Sequence, residues 1–89
     1  NGEKVMLKTE YDPLVDAGYI HLSHNKVINT EEISQGIILD YDSDSQIVGI
    51  EVLNVHRQTA INVDKLPDSI RDAIWELIHQ VNKEQLVKV

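Results

Sequence analysis

The run from Asp40 to Glu51, DYDSDSQIVGIE, puts carboxylates at positions 1, 3, 5 and 12 of a calcium-binding loop and an aliphatic residue at position 8. Such a loop wraps its ion by turning sharply at a glycine in position 6, between two helices. Here Ser45 stands at that position, and both flanks (Ile37 to Tyr41, Ile47 to Leu53) are rich in β-branched, alternating residues. The run therefore reads as a hairpin, not an EF-hand. In a hairpin Asp40 and Glu51 are diagonal neighbours on one face, Asp42 stands beside Asp40, and Asp44 sits at the tip, so the four cannot enclose one ion. Asp40, Asp42 and Glu51 are left as candidates for weak divalent-cation binding, and no cofactor is implied.

Nucleophilic and metal chemistry have little support elsewhere. His21, His24, His56 and His79 are scattered with no spacing that sets two on one helical face. His21 and Ser23 share a strand face with Asp16 near in sequence, but a nucleophile constellation needs proximity and an oxyanion site that spacing does not supply. Tyr11, Tyr19 and Tyr41 could stack bases on a sheet, yet the carboxylates around them favour packing instead. Cysteine is absent, which removes thiolate nucleophiles, thiolate zinc sites and disulfides and permits a reducing compartment.

The chain has 89 residues, 42% hydrophobic and 26% charged, a size that suits one domain with one core. Its net charge of -7 is concentrated. Between Thr9 and Leu53 stand Glu10, Asp12, Asp16, Glu31, Glu32, Asp40, Asp42, Asp44 and Glu51 against the single base Lys26, so this segment carries about -8 and the remainder about +1. Such a surface repels phosphates and anionic lipid headgroups and attracts a basic protein or a cation. No nucleic acid or membrane partner is therefore expected. No apolar run approaches the roughly 20 residues of a membrane span, no segment resembles a signal peptide, and a cytoplasmic protein is expected. Asn1-Gly2, without an initiator Met, suggests an added or processed terminus, and residues 1–4 are read as a flexible N-terminus.

The elements that would position these residues follow from periodicity. Val5, Leu7, Thr9 and Tyr11 alternate with Met6, Lys8 and Glu10 as in a half-buried strand, which Asp12-Pro13 breaks. A second strand is expected over Tyr19–Ser23 and a third, less regular, over Val27–Ile33, closed by Ser34-Gln35-Gly36 with a positive-φ glycine. The fourth and fifth strands pair around Asp44-Ser45, so that opposing residue numbers sum to 89: Tyr41 with Val48, Leu39 with Ile50, Ile37 with Val52. That register gives one apolar face for the core and one bearing Asp40, Asp42 and Glu51. Ser45 fits a tight primed turn less well than glycine, which favours a longer loop. Val55–Val63 reads as a crossing loop with a short strand at Ala60–Val63. Pro67 is placed at the first helical position, and Ile70, Ala73, Ile74, Leu77, Ile78 and Val81 form one apolar stripe. Asp68 and Asp72 lie near the positive end of that helix dipole, Lys83 and Lys88 near the negative end. Trp75, His79 and Leu86 fall on its opposite side and are candidates for self-association.

Three separated blocks, Tyr11-Asp12-Pro13 through Asp16 to Tyr19-Ile20-His21-Leu22, then Thr30, Glu32 and Gly36, then Leu39-Asp40-Tyr41-Asp42 with Ile47 to Leu53, resemble domain of unknown function 2283, a family of small bacterial and archaeal proteins. The resemblance covers Tyr11 to Leu53. Ser45 departs from the family's usual glycine and Gly18 from a larger apolar residue, which bears on local turn geometry. Relatives often carry lysine or arginine in place of His21, which argues against a catalytic role there. The resemblance implies a small sheet with a helix and assigns no activity.

The expectation is an α+β fold, an antiparallel β-meander of four or five strands (5–53) packed against one C-terminal helix (67–86), in a single domain over 1–89. The favoured function is a non-enzymatic protein-interaction domain that forms a homo-oligomer. The alternatives are an antitoxin-like acidic partner of a basic protein, docking through Glu31, Glu32, Asp40 and Asp42, and a weak divalent-cation binder or an enzyme of unknown reaction.

Overall fold

The computed structural model describes residues 8–58 and 66–87. Five strands, β1 (Lys8–Asp12), β2 (Ala17–His21), β3 (Asn29–Ser34), β4 (Ile37–Tyr41) and β5 (Ile47–Val52), are followed by a 3-10 turn at Val55–Arg57 and a helix, α1 (Asp68–Val87). All strand pairs are antiparallel and the sheet order is β1-β2-β5-β4-β3. The α+β class holds, with one refinement: β5 folds back between β2 and β4, so two meander pieces share a central strand. β2 begins at Ala17, two residues before its expected start, because Ala17 and Gly18 extend the pairing with Asp12 and Tyr11. β3 begins two residues after Val27, and Val27 and Ile28 lie exposed in the link before it. Residues 1–7, which include Val5, Met6 and Leu7 of the expected first strand, and the strand expected at Ala60–Val63 lie outside the described residues.

The β4–β5 hairpin keeps the expected register over most of its length, pairing Ile37 with Val52, Ile38 with Glu51, Leu39 with Ile50 and Asp40 with Gly49. One step later it shifts, and Tyr41 faces Ile47 where Val48 was expected, leaving Val48 as the extra residue of a bulge. The cause is the turn. The Asp42 and Gln46 backbones pair around Ser43-Asp44-Ser45, the Ser45 N–H donates to the Asp42 carbonyl, and Ser45 sits at φ 60°. A three-residue loop ending in a left-handed residue is the standard alternative to a two-residue primed turn. At the other hairpin, Gly36 takes the positive φ expected of it, 80°, where any side chain would also crowd the Leu53 carbonyl.

Pairing and alternation sort the side chains onto two faces. Ile20, Leu22, Ile37, Leu39, Ile50 and Val52 point to one face and form the core together with Val55, Leu66 and the helix stripe Ile70, Ala73, Ile74, Leu77, Ile78 and Val81. Each fully buried isoleucine or leucine contributes about 1.5–3 kcal/mol relative to exposure, so this layer dominates stability. Leu77 packs directly on Gly18, where a Cβ would overlap its methyl groups, so the glycine lets the helix come close to β2. Pro67 lies one residue before the helix, not at its first turn. Its carbonyl accepts the Ile70 and Arg71 N–H groups at 3.1 Å, while Asp68 pairs with Arg71. Asp68 meets the positive end of the dipole as expected, but the last turn holds no basic residue and Lys88 lies outside the described residues.

Holding Ser45 in the left-handed region costs about 1 kcal/mol, which glycine would not incur. Ser45→Gly should therefore raise the unfolding free energy by about 0.5–1 kcal/mol, read as a higher urea midpoint at unchanged slope. An equal or lower midpoint would contradict the loop geometry.

Candidate functional site

Residues opposite one another on neighbouring strands share a face, so the register defines the sheet surface that α1 leaves uncovered. One row across it holds Lys8, His21, Gly49, Asp40 and Thr30. The adjacent row holds Glu10, Tyr19, Glu51, Ile38 and Glu32. Tyr19 joins the two. Its ring leans from β2 across β5, over Gly49, and its hydroxyl donates to Asp40 Oδ2 at 2.6 Å. A Cβ on Gly49 would overlap that hydroxyl, so the absent side chain is the condition for the contact. Thr30 Oγ1 donates to Asp40 Oδ1 at 3.1 Å. The His21 and Tyr19 rings meet edge to face with centroids 4.5 Å apart, and His21 and Lys8 both pair with Glu10. The hydrogen bond from His21, aided by Lys8, holds the Glu10 carboxyl below its ordinary range.

Asp40 and Asp42 stand differently from the outward carboxylates expected of them. Asp40 is only 8% exposed and Asp42 5%, and both act as internal acceptors. Asp42 takes the Asp44 and Gln46 N–H groups on Oδ1, at 2.9 and 3.0 Å, and the Asn25 amide on Oδ2 at 2.9 Å. It is the brace of the hairpin loop. Glu51 lies on the uncovered face diagonal to Asp40, as expected, and among the described residues no three His, Asp or Glu side chains converge as metal ligands. Glu31 and Glu32, expected to act together, point to opposite faces because they are adjacent in a strand. Glu31 sits opposite Leu39 and accepts the Tyr41 hydroxyl, whereas Glu32 sits opposite Ile38 on the uncovered face and accepts the Gly36 N–H. Trp75 and His79 are exposed on the outer side of α1, and the Leu86 side chain lies outside the described residues.

A second polar cluster escaped the sequence reading. Asp16, in the β1–β2 turn at φ 54°, accepts the Tyr11 hydroxyl (2.7 Å) and the His56 ring Nδ1–H (2.8 Å) on Oδ1 and the His56 backbone N–H (3.1 Å) on Oδ2. Its own carbonyl accepts the Val55 N–H at 3.0 Å. Burial pushes the Asp16 carboxyl up, but the Tyr11 and His56 hydrogen bonds outweigh it and hold the group below its ordinary value. Asp16 thus caps the 3-10 turn, whose own leading residue Asn54 makes no side-chain cap. The residue expected to matter near Asp16, His21, is instead bound to Glu10. A shallow cleft of about 390 Å³ at the opposite sheet end is lined by Asn25, Lys26, Ile28, Asp42, Ser43 and Asp44.

These features define a small antiparallel sheet, backed by one helix, whose other face is an interlocked polar and aromatic surface. The chain belongs to the family described as Protein of unknown function (DUF2283), whose family model matches residues 8–56. That stretch holds all five strands, the Tyr19–Asp40 contact and the Asp16–His56 clasp, and stops short of α1. No curated protein and no solved structure matches the chain. Among the described residues no helix is long and apolar enough to cross a membrane.

All three tyrosines donate to carboxylates, and burial first, then those carboxylates, push their hydroxyl pKa values up, for Tyr11 to about 12. The unfolded value is about 10. Folded values above unfolded ones mean that this stabilisation is complete below pH 10 and is lost as pH rises from about 10 through 12. Phenolate absorbance should then appear together with loss of the sheet signal in circular dichroism, and phenolate forming near pH 10 with the sheet intact would contradict these contacts.

Proposed function

We propose that this chain is a small non-enzymatic protein-interaction domain that holds a basic partner on the uncovered face of its sheet. The row Glu10, Tyr19, Glu51, Ile38, Glu32 carries the reading, because it alternates carboxylates with apolar side chains across five strands. Tyr19 and Ile38 offer apolar area to a partner, and the carboxylates between and beside them, one of them central on β5, set its sign. That sign selects a basic partner, such as a toxin met by an acidic antitoxin, and disfavours phosphates. The docking acids are Glu10, Glu32 and Glu51, in place of Asp40 and Asp42, whose oxygens hold the fold together. Immobilised protein should capture a basic protein from source extract, with release as salt rises past about 0.15 M, where the Debye length is about 8 Å. Glu51→Lys should abolish capture. Capture indifferent to salt and to that reversal would overturn the reading.

A second contact, self-association through the outer side of α1, is supported by Trp75, which is 38% exposed and turned away from the core. A large aromatic side chain in that position is a common anchor between subunits. Sedimentation velocity should show a mass that rises with concentration for the unaltered chain and stays monomeric for Trp75→Ala. A monomer throughout would remove this contact.

A further inference from the structure

We infer that His56 Nε2 is a modification site for neutral acyl electrophiles, and that acylation there opens the clasp between the β1–β2 turn and the 3-10 turn. The site stands apart from the interaction face proposed above, because Tyr11 shares its row with Gly18, Val52 and Ile37, on the side of the sheet that α1 covers. Its reactivity follows from which ring nitrogen holds the proton. Burial pushes the Asp16 carboxyl up and the hydrogen bonds it accepts more than offset that, so the group is ionised at neutral pH and can only accept. Tyr11 commits its single proton to Asp16 at 2.7 Å. The 2.8 Å contact between His56 Nδ1 and Asp16 Oδ1 therefore needs the proton on Nδ1. Neutral His56 then carries its free lone pair on Nε2, which makes no hydrogen bond among the described residues and belongs to a side chain 36% exposed.

Three contacts hold the ring for attack: the Nδ1 bond to Asp16, the His56 backbone N–H on Asp16 Oδ2 at 3.1 Å, and the Tyr11 ring, edge to face at 6.2 Å. As Nε2 bonds to the acyl carbon, the bond from that carbon to its leaving group breaks, and positive charge grows on the ring beside the Asp16 carboxylate, which stabilises it. The Nδ1 proton then passes to solvent or to the departing group. That loss reverses the clasp. Lone pairs on Nδ1 and on Asp16 Oδ1 face each other where a charge-assisted bond stood, and the Tyr11 hydroxyl, 3.4 Å from Nδ1, has a proton for only one of them. The surroundings select the electrophile. Asp16, and Asp12, whose field reaches the Tyr11 hydroxyl, repel an anionic donor, and Arg57, next in the chain, pairs with neither among the described residues. Leu14 and Val15, 93% and 65% exposed in the same turn as Asp16, offer apolar area to a neutral one.

Other histidines of the chain serve as references. His21 has its Nε2 bound to Glu10, whereas His24, exposed in the β2–β3 link, has no partner among the described residues. The full chain is treated with diethyl pyrocarbonate, a neutral acyl donor, at about pH 8, above the ordinary imidazole value of about 6.5, and the rate at each histidine is read by peptide mass spectrometry. His56 should react about tenfold faster than His24, the factor that about 1.4 kcal/mol of transition-state stabilisation gives. His21 should react more slowly than either. Nitrogen–proton correlation spectra of the untreated chain should show the His56 proton on Nδ1. Asp16→Asn, which keeps a residue tolerant of the left-handed turn, should bring His56 down to the His24 rate. With acetyl phosphate, an anionic donor, the preference for His56 should shrink. In the modified chain the Asp16, Val55 and His56 amides should shift while those of Ile20 and Ile50 stay in place. A proton on Nε2 instead, or a His56 rate no higher than that of His24, would overturn the site. Unmoved clasp amides would overturn the opening, and an equal preference with acetyl phosphate would overturn the choice of a neutral donor.

Discussion

β5 is hydrogen-bonded along both edges, to β2 on one side and β4 on the other, and its register therefore sets three strands at once. Ile50 and Val52 are held over the core by that pairing, and the same alternation turns Gly49 and Glu51 to the outside. A slip by one residue would bury Glu51 and expose Ile50, an exchange of several kcal/mol, so the hydrophobic pattern enforces the register. The helix then closes the apolar side, with Leu77 seated against Gly18 of β2. The two outer strands, β1 and β3, are largely exposed and dense in charge, which discourages further copies from adding to the sheet.

Acidity in this protein has two separate physical roles. Asp16, Asp40 and Asp42 act as internal hubs, each accepting two or more hydrogen bonds that tie distant segments together: the β1–β2 turn to the 3-10 turn, β4 to β2 and β3, and the hairpin loop to the β2–β3 link. A carboxylate is suited to this because it offers several acceptor sites and its bonds are charge-assisted. Glu10, Glu32 and Glu51 are spread across a surface and shape its potential instead. Counting charge along the chain merges these two groups. Only register and burial separate them.

The strand alternation, the apolar stripe of α1 and the pairing of Ile37 with Val52 through Asp40 with Gly49 were all legible in the sequence, because each follows from a local period and a turn. Tyr41 was set against Val48 because the symmetric register was extended into the loop. The left-handed Ser45 and the bulge that accompanies it depend on the loop adopting three residues, which composition indicates only loosely. The central position of β5 was not legible, since nothing in a strand's own pattern names its second neighbour. The clasp between Asp16 and His56 is the clearest loss. The partners are 40 positions apart and share no period, and of its members only Tyr11 and Asp16 belong to a motif block. Asp40 and Asp42 looked like surface acids because their acceptor roles depend on Tyr19, Thr30 and Asn25, which reach them from other strands and links.

Gly49 and Tyr19 occupy one another's space. The volume that a side chain at position 49 would need is the volume through which the tyrosine reaches Asp40, so neither position has a meaning of its own. A chain of this fold with a larger residue at 49 must send residue 19 elsewhere, and Asp40 then becomes a buried carboxylate short of a donor, which ionised groups tolerate poorly. Positions 19, 40 and 49 are thus energetically coupled, and substitutions there should not add.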